Sequence, residues 1–192
     1  MDITKNEMLI VLSVFKNPEK EFNANNISKE MRITPMGALK IMKRLEKENI
    51  LAAKVAGKAT FYRINFSNDY ARDYLMFVLK REVEHSSPYV KRWVNEVRKL
   101  KNADIAIIFG SVLKKEGKAD DVDVLVATSQ ERFEKLKEEI KELNKINEKD
   151  MHAVYQSLKD LEDNILRRDN VVLSALKGIV VFGEEKLIGL VK

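Results

Sequence analysis

The hydrophobic pattern changes character near residue 103, and no single regular architecture accommodates both halves. Before that point apolar residues recur at helical spacing. Residues 3–16 carry Met8, Leu9, Val11, Leu12 and Phe15; residues 24–31 place Ile27 and Met31 four apart on one face; residues 35–49 carry Ala38, Ile41, Met42 and Leu45. After it, four short apolar runs at 104–109, 122–127, 151–156 and 178–182 read as buried strands, with helical segments between them. The sequence therefore predicts an α/β chain, α+β in arrangement. It has an N-terminal domain at 1–66, a helical connector at 67–102 and a C-terminal mixed sheet with flanking helices at 103–192.

Local signals sharpen this order. Asn17-Pro18 ends the first helix, because a residue before proline is driven out of the α region. Thr34 is placed to cap the third helix, with Pro35 at its first position, where the missing N–H costs nothing. Leu51 to Ala56 and Thr60 to Phe66 read as two strands around a turn at Gly57. In the connector, one helix is expected from Tyr70 to about Glu84. Ser87 and Pro88 then open a second, with Val90, Trp93, Val94, Val97 and Leu100 as a buried stripe; the two helices pack the domains together or form a dimer interface. Ser157, with Asp160 three residues on, opens a later helix as a capping box.

Composition removes several classes of function. There is no cysteine, so disulfides and thiolate metal sites are excluded, and His85 and His152 are the only histidines. His152, alone on a strand, is expected to be packed or half-exposed and not a ligand. No apolar run approaches the roughly 18 residues that span a bilayer. Residues 1–5 lead straight into an amphipathic pattern, not a signal peptide, so a cytoplasmic protein without membrane contact is expected. Residues 1–66 hold 12 Lys or Arg against 7 Asp or Glu, whereas residues 103–192 hold 15 against 18. A basic front beside an acidic back points to a polyanionic partner for the front.

Helix, helix, helix and hairpin within the first 66 residues, carried by ISKEMRITPMGALKIMKRLEKENIL and AGKATFYRIN, resembles the winged helix-turn-helix of many prokaryotic regulators. Leu45, Asn49 and Ile50 fit the helix end; Gly57 and Tyr62 fit the wing. The resemblance implies double-stranded DNA as partner, with the third helix in the major groove and the wing on the backbone. Thr34, Lys40, Lys43 and Arg44 on that helix, and Lys54, Lys58 and Arg63 at the wing, would make the contacts. It also implies a homodimer on paired half-sites. Met36, Gly37 and Leu39 stand where such regulators often place polar base-reading residues.

The stretch that carries chemistry is Phe109-Gly110-Ser111, nine residues, then Asp121-Val122-Asp123, set between two apolar strands. Gly110 permits close backbone approach to a phosphate. Ser111 offers a hydroxyl and an N–H near a helix start. Asp121 and Asp123, two apart in a strand, present both carboxylates to one face, where hard oxygen ligands suit Mg²⁺ bridging to substrate phosphates. This pattern resembles the nucleotidyltransferase superfamily. The resemblance implies that Gly110 and Ser111 hold the phosphates of a nucleoside triphosphate, and that Asp121 and Asp123 bind the metal. Such enzymes use a third carboxylate from a later strand; Asp150 is the candidate here. The small active members often carry Arg soon after Gly-Ser, where this chain has Val112 and Leu113. Two readings stay open: a DNA-binding regulator whose C-terminal domain binds a nucleotide, and a working Mg²⁺-dependent nucleotidyltransferase, antitoxin-like in one version.

Overall fold

The computed structural model describes residues 3–191; Met1, Asp2 and Lys192, which begin and end the segments read above, lie outside the described residues. It divides into two compact units, Met1–Val78 and Leu79–Lys192. The boundary falls inside a helix, so the residues read as a connector are shared between the two.

The first unit is a winged helix. Helix α1 (Lys5–Lys16) opens on a reciprocal capping box between Thr4 and Glu7. Helix α2 (Ala24–Met31) is capped by Asn23, and α3 (Pro35–Lys47) by Thr34, whose hydroxyl accepts the Gly37 N–H at 3.1 Å. Asn49 takes a left-handed conformation just past α3, which asparagine tolerates better than most residues, and the Ile50 N–H returns to the Leu45 carbonyl. The wing follows as strands β1 (Leu51–Ala56) and β2 (Ala59–Ile64), antiparallel, with Leu51 opposite Ile64. Their two-residue loop puts Gly57 at positive φ, as tight hairpin turns require. Phe22 bridges to Tyr62, adding a short third member to the wing. Ile10, Phe15, Ile27, Met42, Leu45 and Leu51 are fully buried and form the centre of this unit.

Helix α4 (Asp69–Glu84) crosses the boundary. Helix α5 (Pro88–Val97), capped by Ser87, lies wholly in the second unit. Its stripe of Val90, Trp93, Val94 and Val97 is buried in the same core as Ala106, Ile108, Val122, Val124 and Val126. This settles the use of that stripe: it is core of its own unit and cannot be offered to a second copy as a dimer interface.

The second unit is built on a four-stranded mixed sheet in the order β5-β4-β3-β6, from β3 (Ile105–Phe109), β4 (Val122–Ala127), β5 (Met151–Gln156) and β6 (Ile179–Phe182). Strand β3 runs antiparallel to both β4 and β6, and β4 runs parallel to β5. Between β3 and β4 the chain makes a four-residue helix α6 (Val112–Lys115) and a 3₁₀ turn at Glu116–Lys118. Helix α7 (Phe133–Ile146) leads into β5. Helices α8 (Leu158–Leu166), α9 (Asn170–Leu176) and α10 (Glu184–Val191) complete the unit. The Asp104 carboxylate, at the head of β3, is ion-paired to both Arg132 and Lys186. Burial would raise its pKa, but the hydrogen bonds from Lys186 and Arg132 outweigh it and hold the group below its usual value. Among the described residues no helix is long and apolar enough to cross a membrane.

Candidate functional site

Strand pleating sets the site. Along β4, Val122, Val124 and Val126 enter the core beside α5 and α7, which turns Asp123 to the other face. Asp121, two residues earlier, belongs to that same side. The parallel register of β4 with β5 pairs Asp123 with His152. Ligand atoms of Asp121, Asp123 and His152 consequently all lie within 4.8 Å of one another, and the His152 Nδ1 stands 2.9 Å from an Asp121 carboxylate oxygen. Both aspartates are half-buried and the histidine is exposed. Burial, and then the charge of Asp121, push the Asp123 carboxyl above the usual carboxylate value, with His152 acting the other way.

Gly110 closes the opposite side. It has φ +81°, a left-handed conformation that disfavours any side chain, and a Cβ built there would stand 2.0 Å from an Asp123 carboxylate oxygen. Backbone thus packs directly on the carboxylate and fixes where it sits. Gly110→Ala is expected to displace Asp123 and to weaken metal-dependent nucleotide binding by at least about tenfold, roughly 1.4 kcal/mol. Calorimetry on that variant checks it, and binding equal to the parent's contradicts it. Ser111 heads α6 and makes no side-chain cap hydrogen bond, so its hydroxyl is not committed to the helix. Lys149 secures the following turn by donating to the carbonyls of Gly117 (2.7 Å) and Ala119.

Asp150 is placed differently from Asp121 and Asp123. It is exposed just ahead of β5, it accepts the Val122 N–H at 3.0 Å through its backbone carbonyl, and it lines a shallow groove with Met151, Tyr155 and residues of α7. Among the described residues it is not part of the acidic cluster. His152 stands in the cluster instead, exposed where the sequence predicts a packed or half-exposed side chain. The signal that finds it is the β4–β5 register, a non-local pairing.

On the first unit, Lys40 and Lys43 of α3 and Lys54, Lys58 and Arg63 of the wing are all exposed. Thr34 is exposed as well, and a capping hydroxyl keeps its own proton to donate. Arg44 differs: its guanidinium is ion-paired to Glu7, whose side chain is 2% exposed, and lies 3.8 Å from Glu48. It therefore ties α3 to α1, a role the sequence reading did not give it.

The donor set fits a divalent cation: two carboxylates and an imidazole converge, backbone packs behind one carboxylate, and an ion there offsets the repulsion between the two aspartates. Comparison with known proteins agrees with this segment. The family model described as polymerase beta, nucleotidyltransferase matches residues 92–177, from within α5 to just beyond α9. No curated protein sequence matches the chain. Among solved structures, a variant of Lactococcus lactis ZitR is similar at 14% identity and a TM-score of 0.35, over 53% of this chain and 62% of that one. The adhesin competence repressor AdcR of Streptococcus pyogenes is similar at 15% identity and a TM-score of 0.30, over 51% of this chain and 77% of that one. The winged helix rests on its own element order, and residues 92–177 form a nucleotidyltransferase-like domain.

Proposed function

We propose that the chain is a DNA-binding regulator whose second unit binds a nucleoside triphosphate together with a divalent cation. The observation that supports this best is the convergence of Asp121 and Asp123 beneath the backbone of Gly110, inside the segment that matches the nucleotidyltransferase model. In this reading Gly110 and Ser111 cradle the phosphates. Asp121 and Asp123 hold the cation, Mg²⁺ in the family the pattern resembles. The bound ion would screen the phosphate charge.

For the first unit we assign α3 to the major groove and the wing to the phosphate backbone. Lys40, Lys43, Lys54, Lys58 and Arg63 are the exposed cations available, and Met36 at 72% exposure offers an apolar surface suited to a thymine methyl group. Affinity for duplex DNA should fall steeply with salt, by roughly 0.9 in logarithmic slope per phosphate neutralised. The double change Lys40→Ala with Lys43→Ala should lower that slope by about 2. Arg44→Ala should act chiefly on the stability of the first unit, because the buried Glu7 keeps its hydrogen bonds from Thr4 but loses its cation. Fluorescence anisotropy across a salt series decides; no affinity for any duplex at low salt makes the first unit a protein-binding module instead.

Two copies should act together, because one winged helix makes few contacts and two-fold dimers match paired half-sites. Since the α5 stripe is internal, the contact falls to α4, where Leu75, Val78 and Leu79 are buried but Tyr70 and Phe77 stay 44% and 47% exposed. Sedimentation at tens of micromolar should show a dimer; monomer alone contradicts this.

A second reading has one observation in its favour: the cluster has three members, not two. A site so furnished could transfer a nucleoside monophosphate from the triphosphate to an acceptor hydroxyl, releasing pyrophosphate. Pyrophosphate formation that disappears with Asp121→Ala separates the enzyme from the sensor.

A further inference from the structure

We infer that the cluster of Asp121, Asp123 and His152 selects a first-row transition ion of the Mn²⁺, Co²⁺ and Zn²⁺ class over Mg²⁺, with the His152 imidazole as a direct ligand. This rests on the reading of the cluster as a metal site and goes beyond it by naming the ligand that sets the preference.

Three features carry it. First, the backbone register fixes where these side chains start. The β4–β5 register pairs His152 with Asp123, on the side of the sheet that also faces Asp121, and the three sets of ligand atoms lie within 4.8 Å of one another. Ligands about 2.0–2.2 Å from one ion are separated from each other by no more than about 4.4 Å, so a small inward movement completes the set. Second, the ligands differ in kind. Mg²⁺ takes oxygen and gives up its water reluctantly, whereas imidazole nitrogen suits the later first-row ions, whose affinity rises from Mn²⁺ towards Cu²⁺. Replacing one oxygen corner by nitrogen therefore lowers the relative standing of Mg²⁺. Third, Asp150, the third carboxylate that the nucleotidyltransferase pattern would use, lies outside the cluster among the described residues.

The 2.9 Å approach of His152 Nδ1 to Asp121 is also what a plain ion pair would give. The two roles separate on metal binding. As a ligand, His152 confers ion preference. As an ion-pair partner, it offsets the charge of Asp121 and treats all divalent ions alike.

The test uses the full chain and the metals alone. Mn²⁺, Co²⁺, Zn²⁺ and Mg²⁺ are titrated into the parent, His152→Gln, His152→Asp and Asp123→Ala, with calorimetry for affinity. The imidazole signals are followed by NMR. Two histidines make their assignment simple, and His85→Gln identifies the His152 ring. The expected results are threefold: Mn²⁺, Co²⁺ and Zn²⁺ bind at least about tenfold tighter than Mg²⁺; His152→Gln loses about tenfold or more for those ions and little for Mg²⁺; His152→Asp moves the preference back towards Mg²⁺. Substoichiometric Mn²⁺ should broaden the His152 ring signals and spare His85. His152 is 63% exposed through its side chain, so these variants should fold as the parent does. If the four ions bind through Asp123 with affinities that His152→Gln leaves in the same ratio, the inference is overturned and the metal site stands. If no ion binds, or Asp123→Ala binds as the parent does, both fall together.

Discussion

Trp93→Ala is expected to destabilise the second unit by about 3–5 kcal/mol, the cost of emptying a large aromatic site in a packed core. Trp93 is fully buried on the α5 stripe, in one cluster with Ala106 and Ile108 of β3 and Val122, Val124 and Val126 of β4. The sheet that presents Asp123 on its other face depends on this packing. Trp93→Phe should cost far less. It keeps a ring in place, and it removes an indole N–H that is buried with no hydrogen-bond partner among the described residues. Such a group carries a desolvation penalty of roughly 1–3 kcal/mol, and its removal offsets part of the lost volume. Chemical denaturation followed by circular dichroism reads both. A loss under about 1 kcal/mol for Trp93→Ala contradicts the packing described; equal losses for the two variants contradict the part assigned to the indole.

Where the sequence spoke through local pattern, it spoke clearly. The runs at 105–109 and 122–127 are continuous and apolar, so their strands were visible without any partner being known. The caps at Thr34, Ser87 and Ser157 fixed three helix starts, because each hydroxyl answers a backbone N–H within a few residues. Two helices gave weaker signs or none. Helix α6 is four residues long, too short to show a period, and Ser111 makes no cap hydrogen bond. Helix α10 follows directly on Gly183, which reads as an ending.

The site was half legible for the same reason. Gly110 and Ser111 directly follow β3, and Asp121 and Asp123 lie at the start of β4, with a single connection between them, so their spacing is a local signature. His152 reaches them only through the pairing of β4 with β5, and a slip of one residue in that register would turn it to the other face. Arg44 illustrates the point in the first unit. Its sequence position resembles that of Lys43, but only the tertiary fold brings Glu7 against it.

The second large effect concerns Asp123. Asp123→Ala should abolish metal-dependent binding of a nucleoside triphosphate, removing one of two carboxylates from the cluster while leaving the core face of β4 untouched. Asp123 is half-buried and makes no ion pair among those of the described residues, so little folding stability depends on it. Duplex DNA binding should survive, since Lys40, Lys43, Lys54, Lys58 and Arg63 belong to the other unit. The most direct measurement is calorimetry of ATP and the other triphosphates into the full chain, with Mg²⁺ or Mn²⁺ and then with chelator, on parent and Asp123→Ala. Saturable binding of at least one triphosphate to the parent, lost with chelator and lost in Asp123→Ala, is the predicted result. No triphosphate bound at millimolar concentration, or equal binding by the variant, would contradict it and leave a DNA-binding chain whose nucleotidyltransferase-like domain holds no nucleotide.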